Sequence, residues 1–163
     1  MRVLGIEEHL ARFRRDLPAV DGLTSGAGSP QALAGRFLRA IERSDSLDLA
    51  RMALSAEEYA WLYYPSHIYH DPPYELDPET FWLLIQGNSE KGYLRVLRAL
   101  GGRRLEFGRL DCALSSNVRK PLREWHHCVV RFRADGSEQA RRLFGSIVGY
   151  RGSYKFVSYA NEF

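Results

Sequence analysis

Apolar residues follow a helical period as far as Gly101-Gly102 and an alternating period beyond it. Ile6, Leu10 and Phe13 fall on one face of a short basic helix from Ile6 to Arg15. Leu17 to Pro30 is rich in Gly, Ser and Pro and reads as a linker or extended arm. Ser29-Pro30 then supplies a cap and a first-turn proline, and Ala34, Phe37, Leu38 and Ile41 form an apolar stripe ending near Ser44-Asp45. A second short helix is expected over Leu47–Leu54. Ser55-Ala56-Glu57-Glu58 is a capping box that launches a helix from Glu57 to Tyr64, which Pro65 ends. With Tyr59 and Tyr63 four residues apart, both share a face of that helix and Tyr64 lies beside it. Pro72-Pro73 keeps Ser66–Leu76 irregular.

Asp77-Pro78 restarts a helix whose apolar face includes Phe81, Leu84, Ile85, Leu94, Leu97 and Leu100. Gly87 and Gly92 weaken its middle, so two helices with a bend are expected. After Gly102 the strands predicted are Arg104–Ala113, Arg123–Arg133, Gln139–Tyr150 and Ser153–Asn161, with turns at Asp135-Gly136 and Arg151-Gly152. Helices followed by sequential antiparallel strands give an α+β domain, with helices packed on a curved, mainly antiparallel sheet. A doubly wound parallel sheet is excluded, because strands and helices do not alternate. The expected organisation is an arm over residues 1–29 and a single domain over 30–163.

The stretch ALAGRFLRAIERSDSLDLARMAL, followed by a third helix and a meander of strands, resembles the nuclear-transport-factor-2-like superfamily, with its ketosteroid-isomerase-like and SnoaL-like members. The resemblance runs from Pro30 to the C-terminus. It implies a cone, in which the sheet wraps a helix around a conical pocket whose polar groups come from the third helix and from inward strand positions. That superfamily hosts enzymes, ligand binders and dimerisation modules. The Asp–Arg–Asp relay of its limonene-epoxide-hydrolase members is not evident.

Strand alternation places Trp125, His127, Val129 and Arg131 on one face, and His126, Cys128, Val130 and Phe132 on the other. One histidine therefore faces the cavity. The more apolar set favours His126, although Trp125 argues for the other face. Asp111 shares a face with Leu105 and Phe107 and is the acidic candidate. An imidazole or carboxylate in an apolar cone suits proton abstraction, and Tyr59, Tyr63 or Tyr64 could donate to an oxyanion. The catalytic candidates are His126, His127, Asp111 and Tyr64. The ligand-binding candidates are Tyr59, Tyr63, Trp82, Asn88 and Cys128. His67-x-x-His70-Asp71 has ligand types that zinc accepts but no cysteine partner, so no metal and no cofactor are expected. The leading functional expectation is a domain that binds a small hydrophobic ligand. The alternatives are a lyase, isomerase or hydrolase of a small hydrophobic substrate, and a non-catalytic dimerisation module.

Composition changes this picture little. The net charge of +3 requires no polyanionic partner, and no nucleic acid is expected. A homodimer is expected. Cys112 and Cys128 are expected as free thiols, because a hairpin centred near Asn117 pairs Cys112 with Glu124 and leaves Cys128 out of register. No apolar run suggests an export signal or a membrane span, so the chain reads as cytoplasmic as written, or exported if a signal was trimmed.

Overall fold

A computed structural model of the chain describes residues 5–162. Helix α1 covers Ile6–Arg14. Helix α2, Pro30–Arg43, starts where Ser29 Oγ accepts from the Ala32 amide, and it ends at Ser44 in the left-handed conformation. Its stripe of Leu33, Ala34, Phe37, Leu38 and Ile41 is fully buried. Helix α3, Ser46–Met52, is capped by Asp45. The capping box forms at α4, Ala56–Glu58, with both reciprocal bonds in place.

The chain beyond Glu58 differs from the expected α-helix. Tyr59–Tyr63 is a π-helical turn in which the Tyr64 amide reaches back to the Tyr59 carbonyl, and Tyr64–Ser66 tightens into a 3-10 turn at Pro65. A wider turn brings positions i, i+4 and i+5 toward one side. Tyr59, Tyr63 and Tyr64 are accordingly all buried, where an α-helix would turn Tyr64 away.

Helix α5, Pro78–Leu100, is one unbroken helix and not the bent pair expected. Gly87 faces open space, but Gly92 lies under the C-terminal segment, where a Cβ would stand 1.7 Å from the Tyr159 carbonyl oxygen. Asn161 Nδ2 donates to the Gly92 carbonyl at 2.8 Å, and the Tyr159 amide donates to Ser89 Oγ at 2.9 Å. Leu84 and Leu94, expected on the apolar face, are exposed.

The strands are β1 (Leu105–Ser115), β2 (Arg123–Ala134), β3 (Ser137–Arg141), β4 (Ile147–Tyr150) and β5 (Ser153–Phe156). They form one antiparallel sheet of order β1-β2-β4-β5, with β3 pairing the C-terminal half of β2. The expected strand Gln139–Tyr150 is thus two strands. It breaks where Leu143 and Phe144 turn into the core. Asp135-Gly136 and Arg151-Gly152 both take positive φ at the two central positions, as a two-residue hairpin requires.

Two bulges curve the sheet. Gly108 is an extra residue in β1, between the pairs Phe107–Phe132 and Arg109–Arg131, and only glycine lets the strand pass so near the Arg131 carbonyl. In β2, His127 and Cys128 together oppose Cys112, and His127 takes a φ of 52°. The second bulge corrects the expectation for the cysteines. Ser115, not Cys112, faces Glu124, and Cys112 and Cys128 form a disulfide.

The interior has two apolar clusters. One lies between α2, α3 and the sheet, and there the rings of Phe37, Phe144, Phe156 and Tyr159 pack together. The other gathers Leu10, Tyr59, Tyr63, Tyr64, Phe81, Leu122 and Val148. Strand β4 gives Ile147 to the first and Val148 to the second, so both of its faces are covered.

The disulfide joins residues 16 apart, and in the chain-entropy picture such a loop contributes about 3 kcal/mol. Thiol titration of unfolded, unreduced protein should count no free thiol, and Cys112→Ser with Cys128→Ser should lower the unfolding free energy by about that amount. Gly92→Ala should cost about 3 kcal/mol, because backbone blocks the new methyl, whereas Gly87→Ala should stabilise by roughly 0.5–1 kcal/mol. Chemical denaturation measures both.

Candidate functional site

The buried carboxylates Glu124 and Glu58 centre two sealed networks. In the first, Tyr63 Oη donates to Glu124 Oε1 at 2.5 Å and Ser115 Oγ donates to Oε2 at 3.2 Å. Burial pushes the Glu124 carboxyl above its ordinary range, and the two hydroxyl donors pull back only part of that shift. Burial, reinforced by the facing Glu124, also raises Tyr63. Beside them His67 is 4% exposed, between the rings of Tyr63, Tyr69 and Phe81. Its Nδ1 accepts from the Tyr69 amide at 3.0 Å, so the neutral ring carries its proton on Nε2. Burial lowers this histidine to about 4.

The second network centres on Glu58. Its Oε1 accepts from Lys155 Nζ at 2.6 Å and from the Ser55 amide at 2.9 Å, and its Oε2 accepts from the Thr24 amide at 2.7 Å. Glu58 and Lys155 are both buried.

The tyrosines proposed as oxyanion donors are close together, but their hydroxyls are committed. Tyr59 donates to the Pro78 carbonyl at 2.8 Å and Tyr64 to the Leu76 carbonyl at 2.6 Å. Burial raises both. Trp82 is half-buried against Tyr59, with ring centroids 4.6 Å apart.

The other candidates lie elsewhere. The Gly108 bulge reverses the alternation in β1, so Leu110 takes the inward position and Asp111 turns outward to Arg109 at 2.9 Å and Arg131 at 3.7 Å. Asp111 therefore does not share a face with Phe107. His126 is half-buried and His127 exposed, with rings 4.0 Å apart in an open cleft beside Arg142 and Glu162. Desolvation and the neighbouring His127 lower His126. Neither histidine meets the tyrosines. Asn88 lies on the exposed face of α5, and Cys128 is held in the disulfide. His67 and His70 do not converge, since His70 sits on Glu7 and Asp71. Among the described residues, no group of three or more His, Cys, Asp and Glu side chains is placed to hold a metal ion.

Sequence reasoning missed Glu124, Ser115 and Lys155. Glu124 did carry a signal, as the one carboxylate within the strand Arg123–Arg133. Glu58 was legible only as a cap.

Open volume lies elsewhere again. A cleft of about 460 Å³ runs between α3 and α5, with Leu49, Ala50, Ala53 and Leu54 on one wall, Leu83 and Tyr93 on the other, and Val157 and Tyr159 at its base. Two of its polar groups are already used: Ser89 Oγ accepts from the Tyr159 amide, and Tyr159 Oη donates to the Leu49 carbonyl at 2.5 Å. Ser46, Gln86 and Glu90 complete the polar lining, and no Lys, Arg, His or Cys takes part. A volume of this size falls in the range of small-molecule sites. None of the described helices is long and apolar enough to cross a membrane. Comparison of the chain with protein-family models, with curated proteins and with solved structures found no match.

The lowered His67 fixes a sign. A base that holds its proton less tightly when folded contributes stability fully present above pH 6.5 and lost as pH falls toward 4, by about 3 kcal/mol. The raised Glu124 works in the opposite direction, losing stability as pH rises above its ordinary range. His67→Asn keeps an acceptor for the Tyr69 amide and removes the titration. The wild-type minus variant unfolding free energy should therefore climb between pH 4 and 6.5, while the Glu124 contribution cancels. A flat difference would show that His67 does not titrate in the core.

Proposed function

We propose that this chain is a non-catalytic binding domain of the nuclear-transport-factor-2-like type, which takes a small apolar molecule in the cleft between α3 and α5. The observation that carries this reading is a division of labour. The open cleft has an apolar base and no acid–base or nucleophilic set, whereas the buried Glu124, His67, Glu58 and Lys155 lie in the sealed core with their partners already supplied. A general acid or base must reach the proton it moves. The polar lining indicates the type of ligand. Its one ionised group is the Glu90 carboxylate, so a neutral or cationic head group fits and an anionic one is repelled.

Binding is tested with dodecanol, dodecylamine and dodecanoate, followed by amide chemical shifts. The first two should perturb residues of α3 and α5 and bind about tenfold more tightly than the third, a difference of about 1.4 kcal/mol. Ala50→Trp, at an exposed cleft position, should abolish the perturbation. Shifts that fall outside the cleft, or that survive the plug, would remove this reading.

A second reading rests on Leu47, Leu83 and Leu84, which are exposed at 68%, 71% and 54% in and around the same two helices. Apolar side chains so exposed suit a protein surface, and a homodimer through α3 and α5 is the form it would take. Light scattering distinguishes the two: a dimer that Leu83→Glu dissociates favours the module, and a monomer favours the ligand cleft.

A further inference from the structure

The edges of the sheet are finished in different ways. Strand β5 is covered by two short segments, through the bridges of Ala27 to Tyr154 and Ala53 to Phe156. Strand β3 has a free side, but it is 5 residues long and carries Glu138 and Arg141, and short charged strands are guarded against pairing. Strand β1 runs for 11 residues at the other end of the sheet and pairs only with β2. Among the described residues, no segment but β2 makes a backbone hydrogen bond to residues 106–114. An antiparallel strand turns the amide and carbonyl of alternate residues away from its neighbour, so β1 presents a row of donors and acceptors to water. The row ends at Leu105, whose amide donates to Glu42 Oε1 at 2.8 Å.

The side chains of β1 suit one kind of neighbour. Its core side carries Leu105, Phe107, Leu110, Cys112 and Leu114, with no charge among them, and Leu114 is 58% exposed. Its other face carries Glu106, Arg109, Asp111 and Ala113. Arg109 directly opposes Arg131 of β2, and like charges placed so destabilise a ladder. Asp111 alone serves both, at 2.9 Å from Arg109 and 3.7 Å from Arg131, so this face is one carboxylate short. Charges on an edge ordinarily repel a second strand. Here they attract one, because Arg109-Leu110-Asp111 is its own complement when reversed. Two copies laid antiparallel about Leu110 set Arg109 of each opposite Asp111 of the other.

We propose that β1 is a pairing edge for a second copy of this chain, joined antiparallel about Leu110 so that two five-stranded sheets become one. Each Arg109 then lies between Arg131 of its own sheet and Asp111 of the second copy, which supplies the missing carboxylate. Gly108 loops out of this ladder as it does from the ladder with β2. With that residue skipped, Phe107 faces Cys112 of the second copy, Glu106 faces its Ala113, and the exposed Leu114 meets its Leu105. Apolar side chains therefore meet along the core side and opposite charges on the other face. A ladder this short buries less than a standard interface, so the dimer is weak and reversible. It uses no residue of α3 or α5. The cleft stays open in it, and the contact is separate from any association through Leu83.

Sedimentation equilibrium of the full chain tests this, in the wild type and in Leu83→Glu, and both should show a concentration-dependent dimer. Arg109→Asp and Asp111→Arg each place like charges opposite one another twice, and each should weaken the dimer about tenfold. The double exchange restores opposite charges and should bring the dissociation constant back to within about threefold of wild type. These side chains are 68% and 46% exposed, so the fold tolerates the changes. Leu114→Lys should weaken the dimer too, and exchange of the amides of residues 106–114 should slow as concentration rises. A chain that stays monomeric at about 1 mM overturns the proposal. So does a dimer that both single variants leave intact, that the double exchange fails to restore or that Leu83→Glu removes. A monomer whose β1 amides shift only with an unrelated strand, such as a Thr-Val repeat peptide, assigns the edge to another protein and overturns it as well.

Discussion

The Glu58 carboxylate holds together three parts of the chain that are far apart in sequence. It ends the capping box at Ser55, receives the Thr24 amide of the N-terminal arm, and pairs with Lys155 on β5. Burying two charges is costly, and the pair is tolerable only because the carboxylate accepts three hydrogen bonds. Once it is set, its neighbours follow. Ala27 bridges Tyr154 on one side, Ala53 bridges Phe156 on the other, and the Leu54 amide donates to the Phe156 carbonyl. Strand β5 would otherwise expose an unpaired edge, and these short segments cover it. The arm between α1 and α2 is thus stitched to the sheet at a few points and carries α1 to the far side of the π turn.

Local punctuation was the legible part of the fold. Ser29-Pro30, Ser55 with Glu58, and Asp77-Pro78 all start helices, and Asp135-Gly136 and Arg151-Gly152 both form tight hairpin turns. Each depends on the chemistry of a few adjacent residues, and the α+β order of elements follows from them. Register was not legible, because it depends on single inserted residues. Gly108 and His127 each add one residue to a strand, and every side chain beyond an insertion changes face. Gly108 misplaced Asp111, and His127, together with a hairpin centred beyond Asn117, brought Cys112 against Cys128. Gly108 leaves a trace in the sequence as a glycine within a strand pattern. His127, a bulky residue with positive φ, leaves none. The π turn is the helical counterpart, in which a hydrogen bond reaching one residue further back carries Tyr64 inside.

The candidate site was legible in composition and misread in role. Tyr59, Tyr63 and Tyr64 do assemble, as the capped helix implied, and a buried carboxylate does meet one of them. Burial shifts proton affinity only by excluding water, and a side chain becomes catalytic only if substrate then replaces that water. Here protein fills the space. Two tyrosine hydroxyls end on backbone carbonyls, the third ends on Glu124, and aromatic rings enclose His67. Such networks fix one packing among many, because each polar group is satisfied only when its particular partners are in place. The α3–α5 cleft has the reverse character, with open volume, small side chains at Ala50 and Ala53, and little polar demand. Perturbed proton affinity at Tyr63, His67 and Glu124 therefore marks how the interior is locked, and the open volume lies where the sequence carried no chemical motif.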